Sequence, residues 1–180
     1  MEVFPQVYTP AEDSFLLLSA IEVVEGEEVL EMGCGSGLLS LHMAKAGARV
    51  TAVDLDHFAV RNTEGNARIN GIPLDVRCGD LFERVHGMFD LVVFNPPYLR
   101  GSVQGQEDLC WAGGRSGTDV IRAFMKGVRH HLRPGGRVLL LVSDDTDRRS
   151  LGEAFEGWTV REMASRTLFF EELRVLSLTL

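Results

Sequence analysis

The chain contains no C-x-x-C pair and only three cysteines, Cys34, Cys78 and Cys110, an odd number set far apart. That spacing excludes a disulfide framework and a zinc knuckle, and predicts three buried, reduced thiols. Basic residues are in deficit: 18 Lys and Arg stand against 26 Asp and Glu, for a net charge of -8 and a pI near 5.1. This is the wrong sign for affinity won by neutralising phosphates, so direct nucleic-acid binding is disfavoured. Long apolar runs are missing as well, since none approaches ~18 residues. The opening MEVFPQVYTPAEDS lacks a charged start, apolar core and cleavage site, which predicts a cytoplasmic protein with no membrane partner. No internal repeat, linker or low-complexity segment interrupts the chain, and one domain over residues 1–180 is expected.

What is present is an alternation of short Val- and Leu-rich runs with helical patterns. Strands are expected at 27–33, 49–55, 74–80, 89–95 and 136–144, and helices at 37–46, 57–70, 117–132 and 147–157. Near-continuous apolar strands separated by helices imply a doubly wound α/β layer with a parallel sheet covered on both faces. The 117–132 helix is expected to stop at RPGG. After it, WTVREMASRTLFFEELRVLSLTL offers two strand-like runs with no room for a crossover helix, which predicts a C-terminal antiparallel hairpin. At the other end, Thr9 as N-cap, Pro10 at N1 and Glu12 at N3 predict a capping box and a helix from residue 10. The segment 99–117 exceeds the ~12–15 residues usual for a structureless loop and is expected to cover a site.

The first strand runs into EMGCGSG, with glycines at 33, 35 and 37. Such glycines permit a tight strand-to-helix turn and let a ligand touch backbone. The pattern departs from the dinucleotide fingerprint because position 38 is Leu, and no Lys or Arg lies in the turn to meet a phosphate. Carboxylates stand there instead: Glu31, Asp54 and Asp80, at or near the ends of three successive strands. Ligands of open α/β sheets bind outside the carboxyl ends of the strands, so the three acids should converge on one crevice. Asp54 is placed for ribose hydroxyls, Asp80 for an adenine amino group and Glu31 for an ammonium or sulfonium. S-adenosylmethionine carries all of these and no phosphate. The competing reading is that strand-end acids cap the following helices.

The fourth strand ends in FNPPYLR. Pro96 and Pro97 cannot donate to a sheet ladder, so they end the strand and fix an extended backbone. Asn95 adds a side-chain acceptor, and Tyr98 adds a flat apolar face with a polar tip. Together they describe a slot for a planar NH2 group, suited to methyl transfer onto an amide or exocyclic amine. A nitrogen of that kind is weakly nucleophilic, so the work needed is orientation and electrostatic support.

The motifs EMGCGSG, Asp54, GDLF, FNPPY and WAGGRSG, in this order, resemble the HemK/PrmC protein-glutamine N5-methyltransferases. VYTPAEDSFLLL is most similar to their small archaeal and eukaryotic branch, which modifies translation release factors. The resemblance runs from about residue 8 to the C-terminus. It implies a Rossmann-like class I methyltransferase with a mostly parallel seven-stranded sheet and S-adenosylmethionine as cofactor. It places Pro10, Ser14, Glu31, Gly33, Gly35, Asp54, Leu55, Asp80 and Leu81 on the cofactor. Asn95 would touch cofactor and substrate, and Pro96, Pro97 and Tyr98 would complete the catalytic slot. The implied acceptor is the glutamine of a Gly-Gly-Gln motif in a release factor, and the implied partner a small zinc-ribbon activator. Lysine and base-amine acceptors stay open, as does a scaffold without catalysis. Thr9 stands where relatives often carry Glu.

Other features weigh less. His130 and His131 are adjacent on a helix, point in different directions and make no metal pair. Trp111 reads as the residue that pins the long loop, and Glu107 and Asp108 as a solvated acidic run. The 16 arginines against 2 lysines decide nothing. In the strand order usual for such enzymes, 74–80 is an edge strand, where an activator could add a strand of its own.

Overall fold

A computed structural model describes residues 1–97, 118–144, 146–168 and 171–180. Tyr98, the 99–117 segment with Glu107, Asp108, Cys110 and Trp111, and the WAGGRSG motif lie outside the described residues.

Seven strands form one sheet. They are β1 (Glu28–Met32), β2 (Arg49–Asp54), β3 (Asp75–Cys78), β4 (Phe89–Phe94), β5 (Leu132–Ser143), β6 (Thr159–Leu168) and β7 (Glu171–Thr179), in the order β3-β2-β1-β4-β5-β7-β6. β1 to β5 pair in parallel, and β7 runs antiparallel to both β5 and β6. The antiparallel closure follows from the connection between β6 and β7, which is too short for the crossover that a parallel neighbour needs.

The side chains alternate as the strand period requires. Val29, Leu91, Val93, Leu139 and Leu141 meet Leu16 and Leu17 of α1 (Glu12–Ala20) and Leu39 and Met43 of α2 (Leu38–Lys45). On the opposite face, Leu30, Met32, Val92, Phe94, Val138 and Leu140 meet α4 (Asp119–Val128) and α5 (Arg148–Ala154). Phe124 of α4 is fully buried there, its ring 4.6 Å from that of Phe94 and 5.6 Å from that of Phe82. The remaining helix, α3 (His57–Asn70), starts on an Asp56 cap whose carboxylate accepts from the Phe58 amide at 2.9 Å. It ends on Gly71 in the left-handed conformation, as helices commonly do.

Three expectations are corrected. α1 starts at Glu12 rather than residue 10, its N-cap is Ala11, and no side chain caps it; Thr9 and Pro10 lie before the helix, so there is no capping box. The first-turn acid Asp13 is drawn into a buried hydrogen-bonded node described below. α4 ends at Val128, ahead of RPGG, and Arg133 to Gly136 belong to β5. Seating the buried Leu132 opposite Phe89 starts the strand early, and the register against β4 then jumps to Leu91 opposite Arg137, an irregularity that absorbs the proline and glycines. Of the cysteines, Cys34 is buried but Cys78 is exposed, because β3 is the sheet edge and has a neighbour on one side only. Among the described residues no helix is long and apolar enough to cross a membrane.

Candidate active site

The strand order reverses its direction of progress at β1, with β2 on one side and β4 on the other. Chain connections leave this point in opposite directions, and a crevice opens at the carboxyl ends of the strands. The glycine turn from Gly33 to Gly37 sits at its edge. The amides of Gly33 and Cys34 both donate to the Val53 carbonyl at the end of β2, at 2.8 and 3.1 Å. Gly37 has φ +82, and a Cβ there would lie 2.9 Å from Thr63 Cγ2. Only glycine allows both the left-handed backbone and the close approach of α3.

The acids are held by this turn. Asp54 Oδ2 accepts from the Gly35 amide and Oδ1 from the Asp56 amide, each at 2.9 Å. Glu31, 3% exposed, accepts a short hydrogen bond from the hydroxyl of Ser40 on α2. Burial pushes the Glu31 carboxyl up to about 8, the Ser40 bonds oppose that rise, and the Asp54 charge adds to it. Burial also raises Asp54, against the pull of the Gly35 and Asp56 amides. The Cys34 thiol between them is held well above its ordinary range by burial and by both carboxylates. Neither acid has a basic partner among the described residues. One buried and one half-buried carboxyl group without a counter-ion among the described residues favour any cation that enters the crevice.

Helix capping does not account for these acids. The N-cap of α2 is Gly37 and that of α3 is Asp56. Asp80 stands two residues beyond β3 and is exposed, drawn to the crevice by the bond from the Gly79 amide to the Asp54 carbonyl at 2.9 Å. Leu81 follows with φ +45, the only described residue other than glycine in that region, a strain that needs a local reason. Leu55 is 53% exposed directly after Asp54.

On the other side of the crevice, Asn95 leaves β4 and meets α1. Its Nδ2 donates to Asp13 Oδ2 at 2.9 Å. Asp13 is 4% exposed, and its Oδ1 accepts from the Tyr8 hydroxyl at 2.8 Å and from the Ser14 amide at 2.6 Å. The carboxylate accepts and cannot donate, so it fixes which end of the Asn95 amide faces it. Asn95 Oδ1 is left buried with no hydrogen-bond partner among the described residues. Pro96 is buried beside it and Pro97 half-buried.

The sequence reading missed Asp13 and Ser40. Asp13 reads as an ordinary first-turn acid, and only the fold brings it to Asn95. Ser40 carries a weak signal, a serine two positions into the helix that follows a glycine turn. His130 is exposed, and His131 stacks on Phe82 at 4.9 Å with Nδ1 3.1 Å from the Gly87 carbonyl oxygen. Among the described residues no group of three or more His, Cys, Asp and Glu is placed to hold a metal ion.

Sheet order, glycine turn and cation-favouring crevice define a class I methyltransferase that uses S-adenosylmethionine. The pattern of the methyltransferase small domain matches residues 10–168, and the chain belongs to that family. A relative from Methanocaldococcus jannaschii, whose name proposes protein N5-glutamine methyltransferase activity, is 36% identical over 98% of this chain and 93% of its own. Methyltransferase HEMK2 of Homo sapiens is 36% identical over 77% of this chain and 72% of its own. Among solved structures, a chain of the E. cuniculi Mtq2-Trm112 complex, described as responsible for methylation of the eRF1 translation termination factor, superposes with a TM-score of 0.77 at 24% identity. That superposition covers 96% of this chain and 98% of the other.

Proposed function

We propose that this enzyme methylates the side-chain carboxamide nitrogen of the glutamine in a Gly-Gly-Gln segment of a translation release factor, in the cytoplasm. The observation that carries this reading is the oriented Asn95 amide, pinned by Asp13 and presenting a buried oxygen with no hydrogen-bond partner among the described residues. Such an acceptor calls for a donor, and an NH2 group supplies one. The name of the M. jannaschii relative gives a protein glutamine as acceptor, and the description of the E. cuniculi complex gives a translation termination factor as substrate.

The residues present fit the cofactor. Bound in the crevice, S-adenosylmethionine supplies a methyl group made electrophilic by its sulfonium. Glu31 would hold the cationic end, Asp54 the ribose hydroxyls and Asp80 the adenine amino group. Gly33 and Gly35 would offer backbone, and Leu55, Leu81, Pro10 and Ser14 would complete the cofactor's surroundings. On the acceptor side, Asn95 Oδ1 and the Pro96 carbonyl accept the two amide hydrogens, and Pro97 and Tyr98 wall the plane. As the nitrogen gains its substituent its hydrogens become more acidic, so both acceptors bind them more strongly at the moment of reaction.

A small zinc-ribbon activator is the proposed partner, docking on the outer edge of β3. This four-residue strand pairs only with β2 and so leaves one edge for an added strand. Cross-links found only at the β6 edge would exclude that site.

The experiment is transfer of labelled methyl from S-adenosylmethionine to a release factor carrying Gly-Gly-Gln, beside its Gln-to-Ala version, a lysine peptide and a base-amine RNA. Label lost with the Ala version supports the glutamine reading. Label on lysine or RNA alone replaces it.

A further inference from the structure

Two buried asparagines on α3 hold the N-terminal segment, and one of them, Asn66, holds the glycine turn at the same time. Asn66 is 1% exposed; its Oδ1 accepts from the Glu2 amide at 2.7 Å. Its Nδ2 donates to the Glu2 carbonyl at 2.7 Å and to the Ser36 carbonyl at 2.9 Å. Asn62, one helical turn earlier and also 1% exposed, accepts from the Phe4 amide and donates to the Glu2 carbonyl, each at 2.8 Å. Between them Thr63 donates to the Gly35 carbonyl at 3.0 Å. One carboxamide has one acceptor oxygen and two donor hydrogens, and Asn66 uses all three on backbone groups far away in sequence.

Burying an amide on a helix is costly, but an apolar side chain here would leave the Glu2, Phe4 and Ser36 backbone groups without these partners, so the bonds hold distant backbone as well as pack the helix. They replace a neighbouring strand: residues 2–4 pair with side chains of α3 as they would with a ladder. The other end of the segment is held as well. Val7 is buried, and the Tyr8 hydroxyl donates to Asp13, whose second oxygen takes the Asn95 amide. The six residue steps from Glu2 to Tyr8 reach at most ~20–22 Å. The strap is therefore a short tether between α3 with its glycine turn and the Asn95 node.

We propose that Asn62 and Asn66 are positioning residues that couple the glycine turn to this strap, so that cofactor in the turn tightens residues 2–8 and, through Asp13, steadies the Asn95 amide. The proposal rests on the reading that S-adenosylmethionine occupies the glycine turn. Neither asparagine touches the reacting atoms. They act through Ser36 on one side and through Glu2 and Phe4 on the other.

The test is hydrogen exchange of residues 2–8 in the full chain with and without S-adenosylmethionine, together with the cofactor dissociation rate and separate kcat and KM values. The variants are Asn66→Asp, which keeps the acceptor and removes both donors, and Glu2→Pro, which removes the strap's own N–H and leaves α3 intact. Glu64→Ala, on the exposed face of the same helix, is the control. Cofactor is expected to slow strap exchange about tenfold in the natural chain and in Glu64→Ala. In Asn66→Asp and Glu2→Pro that protection is lost and the cofactor leaves faster with its KM rising in step, about tenfold in Glu2→Pro, which loses one neutral hydrogen bond, and by more in Asn66→Asp, which loses two. Cofactor binding with unchanged strap exchange, or variants that release it at the natural rate, overturns the coupling alone. Failure of the natural chain to bind S-adenosylmethionine overturns the cofactor reading and the coupling with it.

Discussion

Asp13 and Asn95, 82 positions apart in the chain, share a 2.9 Å hydrogen bond in which the carboxylate accepts and the carboxamide donates. The bond decides which of two nearly isosteric ends of Asn95 faces the acceptor. Replacing Asp13 with Ala leaves the amide free to turn its NH2 toward the slot, where it repels the substrate's own NH2. A fall in kcat of about tenfold to a hundredfold is expected from the loss of one charge-assisted bond, with a smaller change in cofactor affinity. Single-turnover rates and calorimetric cofactor binding, measured side by side, separate the two effects.

With Glu31 proposed to face the cationic end of the cofactor, cofactor binding is expected to depend on pH. Its folded carboxyl sits at about 8 against an ordinary 4.5, so it carries a proton over that interval and gives it up to admit a cation. Affinity for the cationic cofactor should therefore rise with pH and level off near 8, with proton release visible by calorimetry in buffers of different ionisation enthalpy. The sign for folding is opposite. A raised pKa stabilises the folded protein below about 4.5, and that stability is lost as pH rises through about 8. Glu31→Gln should flatten both dependences.

Gly37→Ala is expected to cost about 1–3 kcal/mol, because the left-handed backbone and the Thr63 side chain both oppose a Cβ. For a chain of this size that lowers Tm by several degrees. Thr63→Ser removes the methyl that the new Cβ would strike, so Gly37→Ala should cost less in that background. Thermal unfolding of the double-mutant cycle measures the difference.

Phe124→Ala should destabilise by about 3–5 kcal/mol, since a fully buried ring between Phe94 and Phe82 leaves a cavity that two rings cannot fill. Denaturant unfolding should show a lower midpoint at unchanged slope.

Much of this architecture was legible in the chain. Strands β1, β2 and β4 are short Val-rich runs whose faces alternate between two cores, and the pattern of FDLVVF states it directly. The α3 boundaries at 57 and 70 match the expected segment, although its buried face carries Asn62, Thr63 and Asn66 beside its apolar residues. Local chemistry misled at the other ends. Thr9 and Glu12 have the spacing of a capping box, but the helix yields its first turn to the buried Asp13 node. RPGG reads as a stop, yet the pull of Leu132 into the core starts β5 before it. The acids and glycines of the site could be found because they cluster at strand ends. Asp13, Ser40, Asn62 and Asn66 could not, because their partners lie on other elements and no periodicity records a side-chain bond across the fold.

The central claim is that Asn95 Oδ1 holds the acceptor amide. Its most direct test is the single-turnover rate of glutamine methylation by Asn95→Ala at saturating S-adenosylmethionine, with cofactor affinity measured on the same protein. A loss of about a hundredfold or more in rate with cofactor affinity within about tenfold is predicted, the scale seen when one oriented hydrogen-bonding group is removed from a reacting centre. A rate close to that of the natural chain, or a loss fully restored by more cofactor, contradicts it.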